Sequence, residues 1–158
     1  MKEKIINELL KRVRTELSGI EESLKSTREL ATDQEFKAES KYDTRALEAS
    51  YLASAELKRV EELKLEIQIL EDVDLNASKR MNEISMGALV ELSYHQLPRK
   101  YFLIPTAGGT MVEVDGETIL VVSVFSPIGD ALMGLKVGDE FEVETPKETR
   151  HYKVLSFY

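Results

Sequence analysis

The 158-residue sequence contains no cysteine and no tryptophan. Without cysteine the chain can form no disulfide, no thiolate zinc site and no cysteine nucleophile. Basic residues are in the minority, because 21 Lys and Arg stand against 29 Asp and Glu, giving a formal net charge of −8. A protein that holds a phosphate backbone by itself needs clustered Lys and Arg. The charge balance therefore argues against stable, independent binding to DNA or RNA.

Long apolar runs are also missing from the sequence. No run approaches the roughly 20 residues that a membrane-spanning helix needs. The first four residues, Met1-Lys2-Glu3-Lys4, lead into an amphipathic pattern and not into the apolar segment of a signal peptide. We expect a cytoplasmic, monomeric protein with no membrane association.

Glycine and proline are scarce in the first half of the chain. All four Pro lie at or after Pro98, seven of the eight Gly lie at or after Gly87, and neither type occurs between Gly19 and Gly87. These residues interrupt regular structure more strongly than any others. The asymmetry predicts a helical domain over residues 1–78, followed by a domain of strands and turns over residues 79–158.

Apolar residues in the first half recur in alternating steps of four and three, which is the pattern of a coiled-coil seam. Two such seams are predicted. Glu56 interrupts the second one, and the neighbouring Leu57 is expected to take its place in the seam. The first contains Ile6, Leu10, Val13, Leu17, Ile20 and Leu24 and continues through Thr27 to Ala31, and the second contains Tyr42, Ala46, Ala49, Ala53, Val60, Leu63, Ile67 and Leu70. The polar cluster between the seams favours a turn and hence an antiparallel helical hairpin. A parallel homodimer using both seams is the alternative.

The second half alternates with a period of two, which is typical of half-buried strands. Pro98 is expected in the turn between the first two strands, and the apolar run 118–124 is expected to form the central strand. Ser126 and Pro127 are the expected cap and first residue of a short helix that ends before Gly134. The fold class is therefore α+β: a coiled-coil hairpin followed by a small antiparallel sheet with one short helix.

Several kinds of catalytic site are not expected in this chain. The only histidines are His95 and His151, in separate strand-like segments, and we interpret both as structural or surface residues. No Gly-x-Ser-x-Gly elbow is present, and Gly108-Gly109 lacks the lysine and the following helix of a phosphate loop. Hydrolase triads and nucleotide-binding enzymes are therefore disfavoured.

Four carboxylates cluster between the two seams, at Asp33, Glu35, Glu39 and Asp43. Glu35 and Glu39 are four residues apart and share one helix face, where like charges repel unless a cation offsets them. Carboxylates suit Mg²⁺, which binds few protein ligands and keeps several of its waters. The simpler interpretation of the cluster is a solvated turn, since negative charge is also favourable at a helix N-terminus. Phe36, in the same cluster, is either an ordinary exposed residue or a contact at the end of the hairpin.

The sequence after Ser123 resembles the C-terminal signature of bacterial Gre-type transcript cleavage factors. The matching parts are Ser126-Pro127, then Ala131-Leu132-Met133-Gly134, then Val137-Gly138-Asp139, and a final strand containing Tyr152. The order of a coiled-coil hairpin followed by a small domain also matches, and the family implies that this domain is FKBP-like. A shorter relative, the nucleoside-diphosphate-kinase regulator type, shares the signature but not so long an N-terminal region.

The resemblance implies an activity and a partner. In such factors the C-terminal domain docks at the secondary channel of RNA polymerase, a role that would fall to Ser126, Pro127, Ile128, Leu132 and Gly134. The hairpin enters the channel, and its tip carboxylates help to hold the second Mg²⁺ of the polymerase, which then hydrolyses its own backtracked RNA. The factor itself binds no cofactor tightly and is an activator, not an enzyme in its own right.

The tip departs from the family pattern Asp-x-x-Glu-Asn-x-x-Tyr. With Tyr42 as the anchor, Glu35 occupies the Asp position, Ala38 the Glu position and Glu39 the Asn position. A shift in the turn would instead align Asp33 or Glu39 with the acids of the family. The resemblance therefore assigns Glu35, Glu39 and Asp33 to the metal-directed tip, with Glu35 and Glu39 as Mg²⁺ ligands. Phe36, as an apolar residue at the end of the hairpin, is the expected tip contact with the partner.

The resulting hypothesis is a transcription elongation factor that stimulates cleavage of backtracked RNA. A non-cleaving occupant of the channel, which inhibits or modulates the polymerase, needs only length, fit and charge, and is the first alternative. A coiled-coil adaptor with no role in transcription is the second. Prolyl isomerase activity is disfavoured, because it would require an aromatic-lined proline pocket and the chain has no tryptophan. An FKBP-like fold alone does not carry that function.

Overall fold

The computed structural model describes residues 1–32 and 45–158, with side chains described for 1–29 and 47–158. Two long helices come first, α1 (Lys2–Thr32) and α2 (Arg45–Asp72), and a short helix α3 (Ala77–Met81) follows them. The remaining elements are β1 (Leu89–Tyr94), β2 (Leu97–Ile104), β3 (Met111–Val114), β4 (Glu117–Ser123), α4 (Pro127–Leu132), β5 (Glu140–Glu144) and β6 (Thr149–Phe157). The prediction of helices followed by strands is confirmed.

The two long helices pair within the chain as an antiparallel hairpin. Arg59 lies 2.7 Å from the Glu16 carboxylate, and Ser23 Oγ donates a hydrogen bond to Glu56 Oε1 at 2.9 Å. A later position on α1 thus meets an earlier position on α2, as antiparallel helices require. The hairpin prediction is confirmed, and the parallel homodimer is not needed to explain the seams.

Burial along the hairpin follows the predicted seams with two differences. Val13, Leu24, Val60 and Leu63 are buried as expected, but Ile5 and Leu9 are buried beside Ile6 and Leu10, so the apolar stripe of α1 is wider there than a strict seam. The expected replacement of Glu56 by Leu57 is wrong. Leu57 is exposed, and Glu56 keeps its place in the seam because it accepts the hydrogen bond from Ser23.

The six strands form one sheet in the order β3-β4-β2-β1-β6-β5. The neighbouring strands are antiparallel except for β2 and β4, which are parallel, with Tyr101 opposite Leu120. The predicted all-antiparallel sheet is therefore wrong. After β2 the chain forms the edge strand β3 and then turns back as β4, which lies between β3 and β2 and runs in the same direction as β2. The prediction that residues 118–124 form the central strand is also wrong, since β4 is second from the edge and β2 and β1 are central. The described residues include two short helices, α3 and α4, where the sequence predicted one.

A tight turn joins β1 to β2. His95 and Gln96 both have positive φ, 50° and 62°, which is the backbone conformation of a type I′ hairpin turn. Pro98 therefore lies inside β2, opposite Ser93, and not in the turn as predicted. The error arose because glycine or asparagine usually marks such turns, and neither occurs here.

Both faces of the sheet carry buried apolar residues. One face, called here the helix face, packs against α4 and carries Val90, Leu92, Tyr101, Leu103, Val122, Tyr152 and Val154 together with Leu132. Alternation places Leu89, Phe102, Ile104 and Ile119 on the opposite face, and they are buried as well. A sheet buried on both faces needs covering layers on both sides.

By spatial clustering the chain divides into two compact units. One unit comprises Met1–Leu9 together with Ile69–Tyr158, and the other comprises Leu10–Gln68. The first unit thus contains both ends of the chain, and Ile5, Leu9 and Leu70 are buried in it along with the sheet. In the described part of the chain, no helix is long and apolar enough to cross a membrane.

Candidate functional site

Helix α4 begins at a cap that its sequence specifies. Ser126 Oγ accepts a hydrogen bond from the backbone N–H of Gly129 at 3.2 Å and donates one to the Ser123 carbonyl at 2.7 Å. Pro127 occupies the first helical position, where its missing N–H leaves no donor unsatisfied. The predicted cap and first residue of this helix are confirmed.

Close packing holds α4 against the end of β4. A Cβ atom at Gly129 would overlap with the carbonyl oxygen of Ser123 and would lie 2.9 Å from Val124 Cα. Only glycine allows the helix backbone to approach this strand so closely. The helix is therefore fixed by its backbone as well as by its buried side chains.

The segment after α4 is tied to the rest of the domain by backbone hydrogen bonds. Gly134, with φ of 80°, donates to the Ile84 carbonyl at 2.7 Å, and Ile84 donates to the Leu135 carbonyl at 2.8 Å. Gly138, with φ of 95°, donates to the Val154 carbonyl at 2.9 Å. These two glycines adopt a left-handed backbone that other residues rarely occupy. The whole segment is thus a rigid support for whatever α4 presents to solvent.

The five residues assigned from the signature separate into support and surface. Leu132 is buried in the helix-face core, and Ile128 packs partly buried against it. Ser126 caps α4, and Gly134 turns the chain beyond it. Pro127 alone of the five combines an apolar side chain with exposure. Four of the assigned residues therefore have a clear structural role in shaping this site.

Sequence reasoning missed the most exposed apolar side chain beside α4. Phe125 is 81% exposed, and its backbone N–H donates to Ser123 Oγ at 3.2 Å, which fixes the residue just before the cap. Met133 and Val137, which follow the last residue of the helix, are exposed as well. We refer to Phe125, Pro127, Met133 and Val137 together as the α4 surface. The available signal was the position of Phe125 directly after Val124, which points into the core.

Asp33, Glu35, Phe36, Glu39 and Asp43 lie outside the described residues. The predicted Mg²⁺ ligands and tip contact therefore stay predictions. Elsewhere, in residues 1–32 and 45–158, no group of three or more His, Asp or Glu side chains is arranged to hold a metal ion. His151 Nδ1 lies 2.9 Å from Glu142 Oε1 on the surface, and His95 is in the β1–β2 turn.

Comparison with known families gives a direct match over the second half of the chain. Residues 77–158 match the family model described as transcription elongation factor, GreA/GreB, C-terminal. The match covers the sheet, α4 and the glycines that support it, which amounts to half of the chain. The chain belongs to the GreA/GreB family of transcription elongation factors. This membership confirms the resemblance seen in the signature.

Curated relatives of this GreA/GreB member carry two different names. The transcription inhibitor protein Gfh1 of Thermus thermophilus is 28% identical over 155 residues, covering 95% of this chain and 90% of the relative. Transcription elongation factor GreA of Orientia tsutsugamushi is 29% identical over 141 residues, covering 85% and 80%. GreA of Syntrophus aciditrophicus is 49% identical over 37 residues, or 23% of each chain.

Among solved structures, the GreA factor homolog 1 (Gfh1) of Thermus thermophilus aligns over 94% of both chains. The alignment has a TM-score of 0.39 and 21% sequence identity. The GreA/GreB factor of Nitrosomonas europaea covers 60% of this chain and 88% of that chain, with a TM-score of 0.36 and 20% identity.

Proposed function

We propose that the protein binds RNA polymerase at its secondary channel and stimulates the cleavage of backtracked nascent RNA. Membership of the GreA/GreB family carries this proposal. The α4 surface supports it, because Phe125 and Pro127 are presented to solvent on a backbone held by the Ser126 cap and by Gly129. Preorganised apolar groups are what a specific protein contact needs.

In this proposal the hairpin delivers carboxylates to the polymerase active site. Asp33, Glu35 and Glu39 would supply oxygen atoms to the second Mg²⁺, and carboxylate oxygens are ligands that this ion prefers. A metal there stabilises the attacking and leaving oxygens of phosphodiester hydrolysis. The chain itself contributes ligands and positioning, and the metal and the RNA are held by the polymerase.

Inhibition without cleavage is a second candidate, and two observations favour it. With Tyr42 as the anchor of the motif, Ala38 takes the position of the family glutamate, and in that alignment one of the two family carboxylates is missing. The chain also matches the transcription inhibitor protein Gfh1 over nearly its whole length. Such a factor would occupy the channel with its hairpin and leave the polymerase metal without added ligands.

A transcript cleavage assay separates the two activities. A stalled, backtracked elongation complex with labelled RNA is incubated with Mg²⁺ and the protein, and the RNA is resolved by length. Cleavage stimulation predicts shortened RNA, and a loss of at least about tenfold in rate for Glu35→Ala/Glu39→Ala, since the variant removes both proposed metal ligands and even an outer-shell partner of a metal ligand is worth about 10–100-fold. Slowed nucleotide addition without shortened RNA would instead support the inhibitor.

The α4 surface gives a separate prediction about binding. Phe125→Ala should weaken binding to core RNA polymerase by about tenfold or more, because a buried aromatic anchor is worth roughly 2 kcal/mol at an interface. Binding is measured by fluorescence anisotropy with labelled protein, and Met86→Ala, at an exposed position outside this surface, is the control. Equal affinity of Phe125→Ala and wild type would remove the α4 surface from the docking site.

A further inference from the structure

Methionine is confined to the surface of this protein. It is one of the residue types that folded proteins most often bury completely. Here the buried core consists mainly of Leu, Ile, Val, Phe, Tyr and Ala, and each of the five methionines is at least 38% exposed. The five are Met1, Met81, Met86, Met111 and Met133. Small solutes can therefore reach every methionine side chain without unfolding the chain.

These thioethers are the only sulfur groups of the chain, because it has no cysteine. Hydrogen peroxide oxidises a thioether to a sulfoxide. The sulfur lone pair attacks one peroxide oxygen, the O–O bond breaks, and the second oxygen takes up the proton of the first and leaves as water. The sulfur loses two electrons and the peroxide gains them, and methionine sulfoxide reductases reverse the change. A sulfoxide disrupts a core, but no methionine lies in the core here, so we expect the fold to tolerate oxidation.

Met133 is the methionine that belongs to the α4 surface. It directly follows Leu132, the last residue of α4, and its backbone N–H donates to the Asp130 carbonyl at 3.3 Å. The next residue, Gly134, donates to the Ile84 carbonyl at 2.7 Å. The backbone is thus held on both sides of Met133, whereas the residue itself is 41% exposed. An oxidisable group is therefore presented to solvent from a fixed position.

A sulfoxide at Met133 would change the chemistry of the α4 surface. The side chains of Phe125, Pro127 and Val137 are hydrocarbon, and a thioether is apolar as well, which suits all four side chains to an apolar contact. The sulfoxide oxygen is polar, and a polar group that is buried against an apolar partner without a hydrogen bond lowers affinity. Oxidation of Met133 would therefore alter binding while the fold stays intact.

We propose that Met133 is an oxidation site through which hydrogen peroxide reversibly weakens the docking of the α4 surface. This inference rests on the proposed function, because it is the contact of the α4 surface with RNA polymerase that the sulfoxide opposes. The surface location of all five methionines and the place of Met133 beside Phe125 and Pro127 in the α4 surface support it. Met86 provides a matched control, since it is also 41% exposed but lies outside the α4 surface.

Oxidation of the full chain before binding tests this proposal. The protein is treated with hydrogen peroxide, the peroxide is removed with catalase, and peptide mass spectrometry identifies the oxidised methionines. Affinity for core RNA polymerase, measured by fluorescence anisotropy, should fall by about fivefold to a hundredfold, as expected for a buried polar group without a partner. Met133→Leu, which keeps an apolar side chain of similar size, should bind like wild type before and after oxidation. Met86→Leu should lose affinity on oxidation as wild type does, and methionine sulfoxide reductases should restore the affinity of the oxidised wild type.

Three results would overturn the inference: unchanged affinity once Met133 is fully oxidised, the same loss of affinity in oxidised Met133→Leu as in wild type, or a lower urea midpoint of the oxidised protein. The last result would mean that oxidation acts through the fold, and circular dichroism during urea denaturation measures it. Failure of the unoxidised protein to bind polymerase would overturn the proposed function and the inference together. Binding that is insensitive to oxidation would overturn the inference alone.

Discussion

Gly129 and Gly19 occupy helices but have opposite surroundings. Gly129 lies against the Ser123 carbonyl, whereas a Cβ atom at Gly19 would meet nothing within 4 Å. Gly129→Ala should lower the free energy of unfolding by about 1–3 kcal/mol, because the added methyl displaces α4 from β4. Gly19→Ala should raise it by about 0.5–1 kcal/mol, since alanine loses less backbone entropy in a helix. Urea denaturation of both variants measures these changes.

If Gly129→Ala were as stable as wild type, the close approach of α4 to β4 would not be needed to hold the α4 surface. At this scale the sequence predicted the cap well, because Ser126 and Pro127 have strong positional preferences at a helix start. It could not predict the role of Gly129, because a close backbone approach depends on a strand that only the tertiary fold brings near. Phe125 was missed although it follows Val124, because β4 ends at Ser123 and alternation along a strand is a weak guide beyond the end of the strand.

Leu63 and Leu65 provide the corresponding test at the scale of one helix. Leu63 is 0% exposed in the hairpin seam, and Leu65, on the same helix, is 57% exposed. Leu63→Ala should lower the free energy of unfolding by about 2–5 kcal/mol, through lost burial and a residual cavity. Leu65→Ala should change it by no more than about 0.5 kcal/mol, as is usual for surface positions. Helix content followed by circular dichroism at 222 nm during urea denaturation checks both values.

Equal effects of the two leucine changes would contradict the assignment of the α2 seam. Periodicity predicted that seam because heptad steps depend only on local geometry. Glu56 broke the pattern, and its hydrogen bond with Ser23 joins residues 33 positions apart, which no local rule anticipates. The parallel pairing of β2 with β4 was missed for a similar reason, since alternation predicts a strand but not its neighbours or its direction.

The two ends of the chain belong to one unit at the scale of the whole molecule. Met1–Leu9 clusters with Ile69–Tyr158, and Ile5 and Leu9 are buried there. Buried sheet residues such as Phe102 and Ile104 therefore share a unit with the first turns of α1. Lys4 Nζ also lies 2.7 Å from Asp115 Oδ1 in the β3–β4 turn, although exposed ion pairs contribute little. A division of the sequence into 1–78 and 79–158 separates residues that are packed in one unit.

A change at the start of α1 should consequently be detected in the sheet. Leu9→Ala should weaken the protection of the β2 backbone amides against hydrogen exchange, by an amount equivalent to about 2–5 kcal/mol if these amides exchange by unfolding of the unit. Asn7→Ala, at an exposed position of the same helical turn, is the control and should leave the amides of Phe102 and Leu103 unchanged. Native-state exchange followed by NMR resolves these amides individually. If Leu9 supports the sheet, its truncation must lower the stability of the sheet. Unchanged amide protection in Leu9→Ala would therefore show that the sheet is stabilised independently of α1.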